Sequence, residues 1–194
     1  MLGIVLCGGQ SSRMGSDKGL LEFNEKTWVR TATDKIDKLL LPFVISVNKN
    51  QHKEYSSFFS SRQLVADNDS LKLKGPLCGL LSVHIKFPGE DLLVLACDMP
   101  LIEPELLQEL LSQYDQHASY DAFIYTNDSE PEPLCGVYKA KGLATIYNLY
   151  ISNQLQKHSM KYMLEHISTF MIDLPGHKKN CFRNFNSHSE INGQ

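Results

Sequence analysis

The first part of the chain alternates short apolar runs with longer stretches in which apolar side chains recur every three or four positions. Runs of this kind are typical of strands buried in a parallel sheet, and the longer stretches are typical of helices that pack one face against it. Strands are expected at 4–6, 43–47, 64–66 and 92–97, and helices near 28–40, 52–59, 77–85 and 106–114. The alternation predicts an α/β fold, with a mainly parallel central sheet and helices on both of its faces.

The pattern changes in the C-terminal part of the chain. Two β-rich stretches, 122–125 and 134–138, flank a loop rich in Glu and Pro, which indicates a small antiparallel part. Helices near 143–150 and 160–167 and a short strand at 170–172 follow. No linker or internal repeat interrupts the chain, so residues 1–194 are expected to form one domain with two lobes, about 1–115 and about 116–194.

Composition narrows the class of protein. A chain of 194 residues with 42% hydrophobic content suits a globular domain with a substantial core. The net charge of −3 argues against broad binding to nucleic acid or to a membrane surface. No apolar run approaches the roughly 20 residues that span a bilayer, and no basic leader precedes the first strand, so a cytoplasmic location is expected.

The five cysteines are far apart in the chain, and none forms a CxxC pair. This spacing suggests neither a zinc site nor a disulfide framework. Four of the five lie in or beside apolar stretches, where a cysteine usually serves as a small buried side chain. We therefore expect reduced, structural cysteines.

A glycine-rich run directly follows the first predicted strand. Its sequence is Leu6-Cys7-Gly8-Gly9-Gln10-Ser11-Ser12-Arg13-Met14-Gly15-Ser16-Asp17-Lys18. Glycines allow the backbone to approach a bound group closely, exposed N–H groups can bind phosphate oxygens, and Arg13 and Lys18 add cationic donors. The run predicts a polyphosphate site, although glycines alone would equally suit a solvated loop between a strand and a helix.

The run matches neither of the two commonest phosphate-binding motifs. A Walker motif requires Gly-Lys followed by Ser or Thr, whereas Gly19 follows Lys18 here. The dinucleotide fingerprint spaces its glycines differently and usually lacks this Arg and Lys. A different class of phosphate-binding protein is therefore indicated.

Polar residues at the ends of the predicted strands are the other candidates for a site. Ligands of open α/β sheets collect at the carboxyl ends of the strands, where Asn48, Asp67 and Asp98 lie. Asp98 follows the most hydrophobic strand and offers an oxygen ligand for Mg²⁺, although it would also suit a turn or a helix cap. Asp67 and Asn48 would equally suit turns. Asn184 and Asn186 lie two positions apart near the C-terminus, where the alternative is a polar chain end.

The glycine-rich run closely resembles the signature Leu-x-Gly-Gly-x-Ser-x-Arg-Met-Gly-x-Asp-Lys of the molybdenum cofactor guanylyltransferases, which have a Rossmann-like nucleotidyltransferase fold. The resemblance extends to Asn48, Gly75-Pro76-Leu77, Asp98-Met99-Pro100 and the pair Asn184 and Asn186. It spans nearly the whole chain. After Asn186 the family usually has Thr-Pro-Glu, whereas this chain has Ser-His-Ser-Glu, so the resemblance leaves the C-terminal end of the site open.

The resemblance implies a reaction and a set of roles. An enzyme of this family transfers GMP from GTP to molybdenum-loaded molybdopterin and releases pyrophosphate, with the first lobe binding the nucleotide and the second binding the acceptor. Arg13, Lys18 and Asp98 would be catalytic, with Asp98 holding Mg²⁺, and Asn184 and Asn186 would bind the pterin. Molybdoenzyme chaperones and other proteins of cofactor synthesis are candidate partners. The residues implied in nucleotide binding are Leu6, Cys7, Gly8, Gly9, Lys18, Asn48, Asp67 and Asp98.

Several alternatives stay open at this point. Asn68 or Asp69 could take the place of Asp67, because the segment that follows varies in length in the family. The chain could use CTP with the same pterin, or it could add a nucleotide to a sugar phosphate. It could also be a nucleotide-binding protein without catalytic activity.

Overall fold

The computed structural model describes residues 1–8 and 17–185, which form helices packed on both faces of a central sheet. The strands are β1 (Leu2–Leu6), β2 (Glu22–Phe23), β3 (Lys26–Thr27), β4 (Phe43–Val47), β5 (Leu64–Ala66), β6 (Leu92–Ala96), β7 (Ala122–Asn127), β8 (Glu130–Tyr138) and β9 (Thr169–Asp173). The α-helices are α1 (Trp28–Asp37), α2 (Lys49–Tyr55), α3 (Pro76–Lys86), α4 (Pro104–Gln116), α5 (Ala140–Ile151) and α6 (Met160–Leu164). Two 3-10 helices cover Lys18–Leu20 and Gly176–Phe182.

The main sheet has seven strands in the order β5-β4-β1-β6-β8-β7-β9, and β2 and β3 pair separately. The first four strands of this order are parallel to one another. β8 is antiparallel to both of its neighbours, and β9 is again parallel to β7. The prediction of a mainly parallel sheet with an antiparallel C-terminal part is confirmed.

The central strands β1 and β6 are buried on both faces, which explains their continuous apolar runs. Along β1, Val5 belongs to the apolar cluster that includes residues of α1 and α4, and Ile4 belongs to the cluster that includes residues of α3 and α5. Every residue of β6 is at most 5% exposed. Strands of this kind show no polar alternation, because neither face meets water.

The first helix is shorter than its apolar pattern suggests. Thr27 caps α1 as the sequence predicts, because its hydroxyl accepts from the Arg30 N–H. The helix ends at Asp37, however, and the expectation that it reaches Leu40 is wrong. Leu40 has a positive φ of 58° and is 92% exposed. Its N–H donates to the Asp37 carbonyl in a turn before Pro42, so the chain leaves the helix before Leu40 can reach the core.

All five cysteines are free and buried, as the sequence predicts.

Over the described residues, the structure has no helix with both the length and the apolar character needed to cross a membrane.

Candidate active site

The predicted site residues follow neighbouring strands, at the carboxyl-terminal end of the parallel strands. β1 lies between β4 and β6, with Leu6 paired to Ser46 on one side and to Ala96 on the other. Beyond this pairing, the Cys7 N–H donates to the Ser46 carbonyl, and the Cys97 N–H donates to the Leu6 carbonyl. The residues that continue from these strands are therefore adjacent at the carboxyl edge, where α/β sheets bind ligands.

The central feature of the site is a pair of opposite charges. Lys18 Nζ donates to Asp98 Oδ2 at 3.5 Å, and the two side chains are 28% and 22% exposed. Burial raises the pKa of Asp98, and the nearby Lys18 ammonium acts in the opposite direction. Lys18 begins a 3-10 helix and Asp98 follows β6, so residues 80 positions apart meet here. A cation and a carboxylate at this spacing can serve one bound phosphate, the cation by binding its oxygens and the carboxylate by holding a metal ion that binds them.

Hydrogen bonds of Asp17 hold the backbone on either side of Lys18. Asp17 Oδ1 accepts from the Gly19 N–H at 2.9 Å and from the Tyr55 hydroxyl at 3.0 Å. Tyr55 is fully buried, and a Cβ at Gly19 would lie only 2.1 Å from its hydroxyl oxygen. Neither Asp17 nor Tyr55 is among the site residues predicted from the sequence. The Asp-Lys dipeptide was the signal for Asp17, but nothing local to Tyr55 indicates its contact.

We expect Tyr55→Phe to lower any turnover at this site, because Asp17 would lose the hydroxyl that fixes it next to Lys18. The matched control is Tyr114→Phe, because the Tyr114 hydroxyl also donates to an aspartate. That aspartate, Asp91, lies just before β6 and therefore at the opposite end of the strands from the site. Each change removes a bond to a carboxylate, and each is expected to cost about 1.5–3 kcal/mol of unfolding free energy. Steady-state kinetics and urea unfolding test both. Equal kinetic losses in the two variants would contradict a role of Tyr55 at the site.

A second part of the site is a polar cleft beside the end of β1. The cleft has a volume of about 310 Å³ and is bounded by the start of the glycine-rich run, the ends of β4 and β5, and the N-terminus of α3. Gly75 caps α3 with a φ of 73°, a conformation that favours glycine. The residues that line the cleft are Gly8, Asn48, Lys49, Asn50, Asp67, Leu73, Lys74 and Gly75.

Asp67 is the acidic residue of its segment that faces this cleft. Its Oδ1 is buried without a hydrogen-bond partner among the described residues, and burial raises the pKa of its carboxyl group. Asn68 Oδ1 instead accepts from Ser70, and Asp69 forms an ion pair with Lys49. Of the three alternatives that the sequence left open, the structure places Asp67 with an unused acceptor at the site.

Gly8 lies opposite Asp67 across the cleft. A Cβ built on Gly8 would lie 3.9 Å from both carboxyl oxygens of Asp67 and 3.9 Å from the backbone nitrogen of Asn48. These are ordinary contact distances, so packing of the protein does not itself require glycine at this position. The missing side chain leaves room for a group bound in the cleft.

Asn48 both lines the cleft and caps α2. Its Oδ1 accepts from the N–H groups of Asn50 and Gln51, and its own N–H donates to Gln51 Oε1, which completes a capping box. Gln51 also donates to the Cys7 carbonyl at 2.9 Å. Because the cap occupies the side-chain oxygen of Asn48, a contact to a ligand would come from its amide nitrogen.

The remaining predicted residues divide into three groups. Leu6 and Cys7 are buried, and their carbonyl oxygens are bonded within the protein, so Gly8 is the first residue of the run that faces the cleft. Asn184 is exposed, and the N–H of the next residue, Phe185, donates to the Asp98 carbonyl at 3.0 Å. This bond places Asn184 close to Asp98. Three of the predicted residues lie outside the described parts of the chain: Gly9, Arg13 and Asn186.

The C-terminal segment is fixed to the site through Phe185. Its ring is fully buried with Trp28 at the start of α1, and Leu21 and Leu101 pack against the pair. Leu21 follows the 3-10 helix of Lys18, and Leu101 follows the loop after Asp98. One small apolar cluster therefore joins the chain segments that carry both charged residues to the end of the described chain.

The donor set at Asp98 fits an ion that takes few ligands from the protein. Over residues 1–8 and 17–185, no three His, Cys, Asp or Glu side chains are grouped as in a dedicated metal cage. Mg²⁺ usually takes one or two carboxylates and completes its coordination with water and substrate phosphates. A partly buried carboxylate with a raised pKa also gains from a nearby cation, because the cation offsets the cost of burying its charge.

Similarity to known proteins identifies the family of this chain. The sequence profile of the MobA-like NTP transferase domain matches residues 3–168. A protein of Flavobacterium johnsoniae, named probable molybdenum cofactor guanylyltransferase, is 31% identical over 191 residues, which cover 97% of this chain and 93% of that protein. A protein of the same name from Methanothermobacter thermautotrophicus is 30% identical, with 96% of this chain and 95% of that protein covered.

Solved structures share the same architecture. The crystal structure of molybdopterin-guanine dinucleotide biosynthesis protein A from Archaeoglobus fulgidus superposes with a TM-score of 0.79 over all of this chain and 96% of that chain. Its sequence identity is 22%, so this likeness concerns the fold. The fold, the profile match and the near full-length relatives agree with the resemblance in the glycine-rich run. The chain belongs to the family of MobA-like NTP transferases and is a nucleotidyltransferase.

Proposed function

We propose that the protein transfers GMP from GTP to the terminal phosphate of molybdenum-loaded molybdopterin and releases pyrophosphate. The observation that carries this proposal is the contact between Lys18 and Asp98, which lies at the same end of the sheet as the cleft lined by Gly8. The names of the relatives that match nearly the whole chain support the choice of nucleotide and acceptor.

The cleft that Gly8, Asn48 and Asp67 line suits the nucleoside of GTP. The unpaired carboxyl oxygen of Asp67 would accept hydrogen bonds, and the amide nitrogen of Asn48 would donate one. Guanosine offers donors of this kind in its ribose hydroxyls and in the N–H groups of its base. The absence of a side chain at Gly8 would let the nucleotide approach the backbone of the loop.

The Lys18 and Asp98 pair suits the triphosphate. Attack of one phosphate on another brings negative charges together, so this chemistry requires charge compensation and alignment more than a protein nucleophile. Lys18 would bind phosphate oxygens, and Asp98 would hold Mg²⁺. Mg²⁺ held there would supply positive charge to the α-phosphate and to the leaving pyrophosphate. Arg13 would add a second cationic group to the same triphosphate.

The acceptor would bind on the side of the C-terminal segment. The hydrogen bond between the Phe185 N–H and the Asp98 carbonyl brings Asn184 close to Asp98, where the α-phosphate would lie. Asn184 is exposed and can present both a donor and an acceptor to a pterin. Asn186 would extend this contact. The free cysteines suit a reducing compartment such as the cytoplasm, and chaperones of molybdoenzymes remain candidate partners.

The direct test is incubation of the purified protein with Mg²⁺, molybdenum-loaded molybdopterin and each nucleoside triphosphate in turn, with products identified by mass. We expect the guanine dinucleotide of the cofactor and pyrophosphate with GTP, and less than a tenth of that rate with CTP. Faster transfer from CTP would establish the cytidylyl alternative. A sugar phosphate used in preference to the pterin would contradict the proposed acceptor, and GTP binding without pyrophosphate release would indicate a binding protein.

A further inference from the structure

Lys35 is a buried lysine that the proposed chemistry does not use. It lies on α1 and is only 9% exposed. Its Nζ donates to the Pro100 carbonyl at 2.6 Å and lies 3.5 Å from the Met99 carbonyl. Both acceptors belong to the short segment that directly follows Asp98. The Lys35 side chain of α1 therefore holds this segment through two backbone carbonyl groups.

Among residues 1–8 and 17–185, no carboxylate forms an ion pair with Lys35. The titratable groups that face Lys35 are the thiols of Cys135 on β8 and Cys181 near the C-terminus, together with Lys38 on its own helix, and burial raises the pKa of both thiols. Burial lowers the pKa of Lys35 to about 8. An amine in this place is costly to bury, because only two carbonyl oxygens replace its hydration.

The loop after Asp98 is held from other directions as well. The Met99 N–H donates to the Ala96 carbonyl, and the Phe185 N–H donates to the Asp98 carbonyl. These bonds fix the backbone on the sheet side and on the side of the C-terminal segment. Lys35 supplies the contact from the α1 side and thereby completes the support of the residue that faces Lys18.

We propose that Lys35 is a positioning residue for nucleotidyl transfer, whose ammonium group holds the Met99-Pro100 segment so that the Asp98 carboxylate stays in place opposite Lys18. The proposal rests on the proposed function of Asp98 at the triphosphate. An apolar side chain of similar length would fill the same space without the cost of a buried amine. A lysine at this position is therefore better explained by what it holds than by packing alone.

The test compares Lys35→Met with Lys139→Met. Methionine keeps the approximate length and volume of lysine but donates no hydrogen bond. Lys139 is a matched control, because its Nζ also donates to a backbone carbonyl, that of Ala118 at 2.7 Å, in a loop that precedes β7 at the opposite edge of the sheet. Both proteins are examined as full chains by circular dichroism, steady-state kinetics and hydrogen–deuterium exchange.

We expect Lys35→Met to fold and to lower kcat by about 10- to 100-fold, since a misplacement of 1 Å at a reacting group can cost about that much. The KM for GTP should change less than about threefold, because the cleft at Asp67 lies on the other side of β1. Amide exchange should rise over residues 98–102 in Lys35→Met and stay unchanged there in Lys139→Met. The Mg²⁺ concentration for half-maximal rate should also rise only in Lys35→Met.

Unchanged kcat together with unchanged exchange over residues 98–102 would overturn the proposal. If Lys35→Met does not fold, the test uses Lys35→Arg, which keeps a charged donor. Amide protection of residues 98–102 close to the native level in Lys35→Arg supports the proposal. Loss of that protection in a folded Lys35→Arg protein overturns it. If the native protein transfers no GMP, the proposed function fails by itself. Binding of Mn²⁺ with GTP, compared between Lys35→Met and Lys139→Met, then tests the support of Asp98 without the acceptor.

Discussion

Asp98→Asn is expected to lower turnover by about 100- to 1000-fold, which corresponds to the roughly 2.7–4 kcal/mol that one preorganised electrostatic group typically contributes to a transition state. Asparagine keeps the shape of the side chain but removes the negative charge that would hold Mg²⁺ opposite Lys18. Because the amide is a weak metal ligand, the Mg²⁺ concentration for half-maximal rate should rise as well. Initial rates of pyrophosphate release at several Mg²⁺ concentrations measure both effects.

The same change should leave the fold as stable as before, or make it more stable. Burial raises the pKa of Asp98, so folding favours the protonated form of this carboxyl group. Such a group adds stability below its unfolded pKa, and that contribution is lost as the pH rises through the raised folded pKa. At neutral pH the ionised carboxylate therefore costs stability, and an uncharged amide does not. Thermal unfolding at pH 7 is expected to give a Tm for Asp98→Asn equal to or above the native value.

Asp173→Asn is the control for this experiment. Asp173 ends β9, three positions from β6 in the sheet, and accepts a hydrogen bond from Thr126 at 2.7 Å. It shares the strand-end position of Asp98 but not the site. Turnover should stay within about twofold of the native rate in Asp173→Asn. A folded Asp98→Asn variant with near-native turnover would remove Asp98 from the mechanism.

The sequence is sufficient to predict the buried parallel strands, because these strands carry their signal locally. β6 is apolar throughout, and such a run has few alternatives to a central strand. The strand-end positions of Asn48, Asp67 and Asp98 follow from the same rule, since the carboxyl ends of parallel strands meet at one edge. The order of the strands and the antiparallel insertion of β8 between β6 and β7 depend on contacts far apart in sequence.

The parts of the site that sequence reasoning missed depend on such distant contacts. Tyr55 reads as a core aromatic residue, and its bond to Asp17 spans 38 positions. Lys35 reads as a polar residue of an amphipathic helix, and its bond to Pro100 spans 65 positions. No periodicity relates the members of either pair. Local patterns therefore identify the groups that face a substrate more readily than the groups that hold them in place.

The choice among Asp67, Asn68 and Asp69 shows the same limit on a smaller scale. All three follow β5, and the alternation of side chains is lost where the strand ends. The structure separates them through their partners: Ser70 for Asn68, Lys49 for Asp69, and an open cleft for Asp67. A turn of three polar residues carries no sequence signal for this division.

Lys18→Met is expected to reduce kcat/KM by about 100- to 1000-fold, again in the range for loss of one preorganised charge. It should also change the pH dependence of the remaining activity. Lys18 lowers the pKa of Asp98 by its charge and by its hydrogen bond, whereas burial raises it. Without the ammonium group the effect of burial is no longer opposed, so Asp98 should ionise at a higher pH. The acid limb of the kcat/KM profile is therefore expected to move to higher pH in Lys18→Met.

The comparison with two other variants shows whether this shift belongs to the site. Lys18→Arg keeps the positive charge and should retain an acid limb close to the native one, even if the larger group aligns the phosphate less well. Lys161→Met removes the lysine of an exposed ion pair with Glu130 and should change neither kcat/KM nor the profile, since exposed pairs contribute about 0–1 kcal/mol. A native profile in Lys18→Met would mean that Lys18 does not control the charge of Asp98. The two residues would then act on separate groups, and the shared triphosphate would no longer explain why they meet.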